Sequence, residues 1–323
     1  MWTRFKQWRA ERWRARNLDL GSAEDSFPRK RYRFYQIGFF VLLLGFGMIV
    51  YTHYDYWVFR ILIAGNYIFT DDLDALYAQH IREENRRGFH RDFDRVMISV
   101  FTAAIREINQ DRYTYLYSPQ AFAHTREQQE TIARRANVTP LTDDTVYLWV
   151  PNISRWSRQF VMNHRDELAG YANLVLDLRY NTGGLLADFH RIANLFVPRG
   201  AVLGYEETRL RFFTRTITSR GNPVFEFDNI IILQNRRTAS AAEGLIQALA
   251  AHVPGVVTIG ENTFGKGIGQ ITVPLTGGYA VRASVLMVYG PDRVSIHNVG
   301  ITPDIPGAQD MDWVEQALAL LMP

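Results

Sequence analysis

Between Asn229 and Gln270 the chain spells strand, helix, strand and turn, and this stretch limits the fold more than any other. The apolar run NIIIL (229–233) is closed by Gln234 and Asn235, Thr238-Ala239-Ser240 leads into an Ala/Leu-rich helix over 240–251, and GVVTI follows as a buried strand. A serine there sits on the first turn of a helix. Amide N–H groups at that end lack acceptors and favour negative charge, so an oxyanion formed at Ser240 meets donors already in place. The plain alternative is that Thr238 or Ser240 caps the helix, the commonest job of such a residue.

The second strand is followed by Phe264-Gly265-Lys266-Gly267. A lysine between glycines, next to Phe264, has little cover of its own and can be pressed against a neighbouring element. Burial disfavours the ammonium, lowers its pKa and leaves a neutral amine able to act as a general base. Four residues on, Gln270 can orient that amine through a hydrogen bond. A lysine on a surface turn is the alternative. The run from Gly260 to Lys266 also fits the spacing of a phosphate-binding loop, but Gly267 stands where Ser or Thr is needed. The following IGQITVPL is a strand pattern and not a helix, so a nucleotide site is not expected.

TASAAE (238–243) and ENTFGKGIGQ (261–270) resemble the active-site segments of the carboxyl-terminal processing, or tail-specific, serine peptidases. The resemblance implies a Ser/Lys dyad of Ser240 and Lys266, with Gln270 as third member. It extends to 173–198, similar to that family's strand, glycine turn and helix, whose turn amide supplies half of the oxyanion hole. Gly183 or Gly184 would carry that amide and Ala241 the other half. VGITPDI (299–305) resembles the family's closing motif, and DRYTYLYSPQAF (111–122) the segment ahead of its peptide-binding domain; the likeness covers about residues 90–310. Ala242 stands where a second Ser is usual and Thr182 where Pro is usual, and the Ser-to-Lys interval is one residue longer.

Cysteine is absent among the 323 residues, which excludes disulfides, thiolate metal sites and cysteine nucleophiles. The eight His show no paired metal spacing, so neither metal nor cofactor is expected. Residues 1–33 hold ten Arg/Lys against four acids, net +6, while the whole chain is +3; the remainder is therefore about −3. Trp2, Phe5, Trp8 and Trp13 among those arginines suit an anionic membrane surface better than nucleic acid. A disordered basic arm is the alternative.

Residues 34–54 carry no Asp, Glu, Lys or Arg and are rimmed by Tyr and Trp, the length and pattern of a membrane-spanning helix; a cleaved signal peptide is the alternative, though no small-residue cleavage site follows the apolar core, and a soluble core helix is the weaker one. The cationic cluster before it puts the tail in the cytoplasm and the rest of the chain outside. Residues 57–68 are apolar but short, and either lie along the membrane or pack on the domain. Helical spacing recurs over 72–84 and 93–108, and 121–137 suggests one polar helix. Only about 25 residues separate Pro119 from Thr145, too few for the PDZ domain carried there by typical members of the family.

From Thr145 strands and helices alternate: strand 145–150, helix 155–168, strand 173–178, helix 185–196, strands within 201–217, and further strands to Tyr289, with an apolar helix over 313–321. The expected fold is α/β with a mixed-sheet core, preceded by a small helical region and one transmembrane helix. The expected domains are a basic cytoplasmic tail (1–33), the span (34–54), a helical region without a PDZ domain (55–139) and a Ser/Lys peptidase core (140–323). The expected function is processing of a polypeptide substrate outside the cytoplasmic membrane, with lipid met through residues 34–54 and the tail, and with room for a membrane partner in place of the PDZ domain. A non-catalytic tethered scaffold on the same fold is the second class. No oligomeric state follows from the sequence.

Overall fold

The structure is a computed structural model, which describes residue 7 and residues 27–69 and 95–322. It divides into two compact units, 1–54 and 55–323. The first contains helix α1 (Phe27–Thr52), whose stretch Phe34–Thr52 is long and apolar enough to cross a membrane and is exposed throughout. At 1.5 Å per residue α1 is about 39 Å long, enough for a hydrocarbon core of roughly 30 Å. The expected helix over 72–84 lies outside the described residues.

The second unit carries two sheets. A six-stranded sheet has the order β11-β8-β7-β4-β3-β2. Its strands are β2 (Asn137–Pro140), β3 (Thr145–Trp149), β4 (Asn173–Asp177), β7 (Asn229–Gln234), β8 (Val256–Gly260) and β11 (Ile305–Pro306). All neighbours run parallel except the β2–β3 pair. Alternation assigns the faces. Leu174, Leu176, Ile230 and Ile232 point to one side, where α5 (Arg155–Asn163), α7 (Leu186–Ala193) and α8 (Ala241–His252) bury Val161, Phe189, Leu245 and Leu249 against them. Val175, Ile231 and Leu233 point to the other, beneath Ala317 and Trp313 of α9 (Trp313–Leu321). Each fully buried Leu or Ile contributes about 1.5–3 kcal/mol.

The second sheet is antiparallel and built on the long strand β10 (Ala280–Tyr289). β1 (Tyr115–Tyr117) and β5 (Val202–Thr208) pair with its two halves, β6 (Arg215–Thr218) extends β5, and β9 (Ile268–Pro274) also pairs with β10. Of the two alternatives for residues 57–68, the buried side chains of this stretch pack on the domain, against this sheet. Helix α2 (Tyr54–Phe59), a π-helical turn (Arg60–Gly65) and Tyr67 just after it bury Phe59, Leu62, Ile63 and the Tyr67 ring against Ile98, Phe101 and Ile105 of α3 (Arg95–Ile108) and against Val281, Ala283 and Val285.

Two expectations shift in detail. The helix expected over 155–168 is two helices, α5 and α6 (Arg165–Leu168), parted at His164, whose ring Nδ1 lies 2.9 Å from the Phe160 carbonyl. The polar helix is α4 (Pro119–Ala133), and residues after it form the edge strand β2, whose largely exposed NVTP gave no apolar alternation.

Candidate active site

Because β4 and β7 are parallel neighbours with Asp177 opposite Leu233, their carboxyl ends lie side by side, and the turns that follow meet. Such ends of a parallel sheet are where open α/β folds place ligands. The glycine turn leads from β4 to α7 and Thr238-Ala239-Ser240 leads from β7 to α8. Ala239 N–H donates to Asn181 O (2.9 Å) and Tyr180 N–H to Asn235 Oδ1 (3.1 Å), which stitches the turns together. Thr238 does not cap the helix: its hydroxyl donates to Leu178 O (2.8 Å) and accepts from Asn235 N–H (3.0 Å).

Ser240 holds the conformation φ 59°, ψ −121°, which a residue with a Cβ adopts at a cost of about 1–3 kcal/mol. Such a conformation on a sharp strand-to-helix turn is that of a nucleophile elbow, which exposes the hydroxyl above the sheet. Gly183, at φ +90°, lies against it; a Cβ there would come within 2.8 Å of Ser240 Cβ and 2.9 Å of Ala241 N. Ala241 N–H, at the first helical position, has no intrahelical acceptor. The two glycine amides differ. Gly183 N–H donates to Asn181 Oδ1 (2.9 Å), whereas Gly184 N–H has no hydrogen-bond acceptor among the described residues. Gly184 is pressed on Ile153, whose carbonyl oxygen would lie 1.7 Å from a Cβ.

Lys266 stands where the chain crosses from the first sheet at Gly260 to the second at Ile268. The neighbouring element its glycines accommodate is the 296–300 loop. A Cβ on Gly265 would meet Gly300 N at 2.7 Å and one on Gly267 would meet His297 N at 2.9 Å. Side-chain cover comes from Tyr113, whose ring centroid lies 4.7 Å from Lys266 Nζ. Burial, and then the Arg282 charge, lower the Lys266 pKa to about 8, against the opposing pull of Glu243 and Asp111. Lys266 keeps part of its surface exposed, so the desolvation comes from the chain packed around it and not from complete enclosure.

What joins Ser240 to Lys266 is Glu243, which the sequence did not single out. Its fully buried carboxylate accepts from Ser240 N–H (2.6 Å) and Lys266 N–H (2.9 Å) on Oε2, and from Gly265 N–H (2.7 Å) and Thr263 Oγ1 (2.5 Å) on Oε1. Hydrogen bonds to a carboxylate are worth about 1.5–3 kcal/mol each. The Ser-x-x-Glu spacing of a capping box was the available signal. Gln270 points to other partners than the one expected: its Oε1 accepts from Arg282 Nη2 (3.1 Å) and its Nε2 donates to Ile268 O (3.2 Å). Among the described residues no group of three or more His, Asp or Glu is arranged to hold a metal ion.

The description of peptidase family S41 matches residues 144–306. The chain is 37% identical over 137 residues to a chloroplastic C-terminal processing peptidase of Tetradesmus obliquus, covering 42% of this chain and 29% of that protein. It is 36% identical over 140 residues to a carboxy-terminal-processing protease of Bartonella bacilliformis, covering 43% and 31%. The chain thus spans less than a third of the length of these relatives. A lipoprotein from Streptococcus agalactiae shares the fold, with a TM-score of 0.57 at 20% identity over 75% of this chain and 87% of that one.

Proposed function

Because this chain belongs to peptidase family S41, we propose that it is a serine endopeptidase which cuts polypeptides with a Ser240/Lys266 dyad, tethered to the cytoplasmic membrane and acting outside it. The observation that carries this reading is the strained Ser240 at a helix start, with Gly183 against its Cβ and Glu243 tying its N–H to that of Lys266. Such strain persists where the surroundings over-determine it, and it concentrates at active sites.

Neutral Lys266 takes the Ser240 hydroxyl proton as Oγ attacks the scissile carbonyl carbon. The oxygen of the tetrahedral adduct receives N–H donors from Ala241 and from the Gly183–Gly184 turn, where Gly184 is free and Gly183 serves once it leaves Asn181 Oδ1. Protonated Lys266 then gives its proton to the departing amine. Water, deprotonated by the same Nζ, hydrolyses the acyl-enzyme and restores both groups. Gln270 orients the amine from β9. Substrate near a polypeptide C-terminus is favoured by the names of the two relatives above.

Residues 34–54 serve as the anchor, residues 1–33 as a cytoplasmic tail, residues 55–139 as a region without a PDZ domain and residues 140–323 as the peptidase core. The test of the chemistry is hydrolysis of unfolded casein by the purified full chain. Wild type is expected to cleave and Ser240→Ala to fall to background; casein cleavage by Ser240→Ala equal to wild type would overturn the assignment.

A further inference from the structure

Resting on that reading of the site, we propose that Arg282 is a positioning residue for the dyad, fixing from β10 the way the Gln270 amide faces and holding an unneutralised positive charge beside Lys266. Strand register brings this about. In the β9–β10 pair Gln270 lies opposite Ser284 and Thr272 opposite Arg282, so Arg282 and Gln270 are diagonal neighbours on one face. On the far edge of β10, Arg282 is paired with Tyr115 of β1.

The hydrogen bonds leave Gln270 one orientation. Arginine only donates, so Arg282 Nη2 at 3.1 Å requires the amide oxygen on its side; a backbone carbonyl only accepts, so Ile268 O at 3.2 Å requires the nitrogen on the other. One lone pair of Oε1 stays open for an N–H of the Lys266 amine. The guanidinium is itself held: Nη1 donates to Tyr117 OH (3.1 Å), which also accepts from Tyr115 OH (2.8 Å). A freely rotating amide would present its NH2 group to the lysine half the time, where it would clash with the ammonium's donors or occupy the lone pair that the neutral amine needs as a base.

The charge is the second half of the argument. No carboxylate is within ion-pair distance of Arg282 among the described residues, and its Nε is buried without a hydrogen-bond partner. An arginine in that state is costly to fold around, and a methionine of similar length would fill the strand face without the cost. Around Lys266, Glu243 and Asp111 favour the ammonium, while burial and Arg282 oppose it. Tyr113 covers Nζ, Arg112 lies over the Tyr113 and Phe264 rings, and His297, against Gly267, is pushed by its burial toward the neutral form. Arg282 is thus the charge that offsets the two carboxylates and keeps the amine able to accept a proton near neutral pH.

The experiment is a pH–rate profile from pH 6 to 10.5 on unfolded casein, with the full chain in detergent, for wild type, Arg282→Met and Arg282→Lys. Without the charge, Arg282→Met is expected to move the acid limb to higher pH, with the rate at pH 7 about threefold to tenfold below wild type and the deficit shrinking above the limb. Arg282→Lys keeps the charge but not the fork, so its limb is expected to stay in place while kcat falls at every pH and KM holds. If Arg282→Met fails to fold, Arg282→Gln, which also removes the charge but keeps a polar side chain on that strand face, takes its place. A purely structural role would scale the whole profile without moving the limb, and superimposable limbs overturn the proposal. Ser240→Ala run alongside separates the two ideas: undiminished cleavage by that variant defeats the dyad itself, whereas a dead Ser240→Ala with an unshifted Arg282→Met defeats only the role of Arg282.

Discussion

At Lys266 two demands conflict, because surroundings that make the amine a base also make the ammonium unwelcome. With its pKa lowered to about 8 from 10.5, about a tenth of the amine is neutral at pH 7 and nearly all above pH 9.5, so activity is expected to climb about tenfold along one deprotonation. Lys266→Arg is expected to abolish turnover, since a guanidinium keeps its proton; casein assays of the two proteins across that pH range check both statements. The same shift sets a stability trend of definite sign. The folded chain gives up the proton near pH 8 and the unfolded chain near 10.5, so between those values the unfolded state binds more protons and stability rises with pH. Lys266→Met should therefore melt higher than wild type at pH 7, by at most about 3 kcal/mol, with the gain shrinking toward pH 10.5. Thermal melts at both pH values measure it, and a gain independent of pH would contradict the account. Glu243→Gln puts an NH2 group against donors now bonded to a carboxylate, and is expected to lose about 2–4 kcal/mol of stability along with most of the activity.

Elements explain why so much of this was legible and where legibility stopped. The α/β alternation from Thr145 shows in the sequence because parallel strands buried on both faces are continuous apolar runs, as in NLVLD and NIIILQ. Ser240, Lys266 and the glycine turn show because each lies in a short segment with a local physical signature. Glu243, Tyr113 and Arg282 act through partners distant in sequence: Glu243 reaches Lys266 across 23 residues and Arg282 reaches Tyr117 across 165. No spacing rule spans such gaps, and the four-residue interval that suggests a Gln270–Lys266 pair does not show that the Gln270 amide bonds to Arg282 and Ile268. The glycine turn gives the test at this scale. In Gly184→Ala the methyl group would strike the Ile153 carbonyl, which accepts from Leu185 N–H (3.3 Å) and holds the turn against the start of α5. That variant is expected to lose at least about a hundredfold in kcat, the scale of a lost oxyanion donor, while far-ultraviolet circular dichroism stays near wild type.

For the whole molecule, a core proposed to lie outside the membrane and to lack a PDZ domain has to read its substrate through the groove. The first part is checked on intact spheroplasts, where added protease should digest an epitope at Pro323 and spare one at Met1. The second follows from residues 118–145, which hold only α4, β2 and the turn into β3, less than an independently folded peptide-binding module of roughly 80 residues needs. If no PDZ domain presents the substrate's free carboxylate, an extended segment has to pair with a sheet edge near Gly183 and Ser240. Main-chain pairing is nearly indifferent to where a chain ends, so side-chain pockets then supply most of the selectivity. Cleavage is therefore expected to depend weakly on a free C-terminus and to favour small or apolar residues beside the cut. One model substrate, offered with its tail free, amidated or extended by a folded domain, should be cut at rates within about threefold, a spread of about 0.7 kcal/mol in transition-state binding. A collapse of the rate on amidation, with purified enzyme and no partner present, would mean that a carboxylate site exists elsewhere in the chain and that groove-only recognition is wrong.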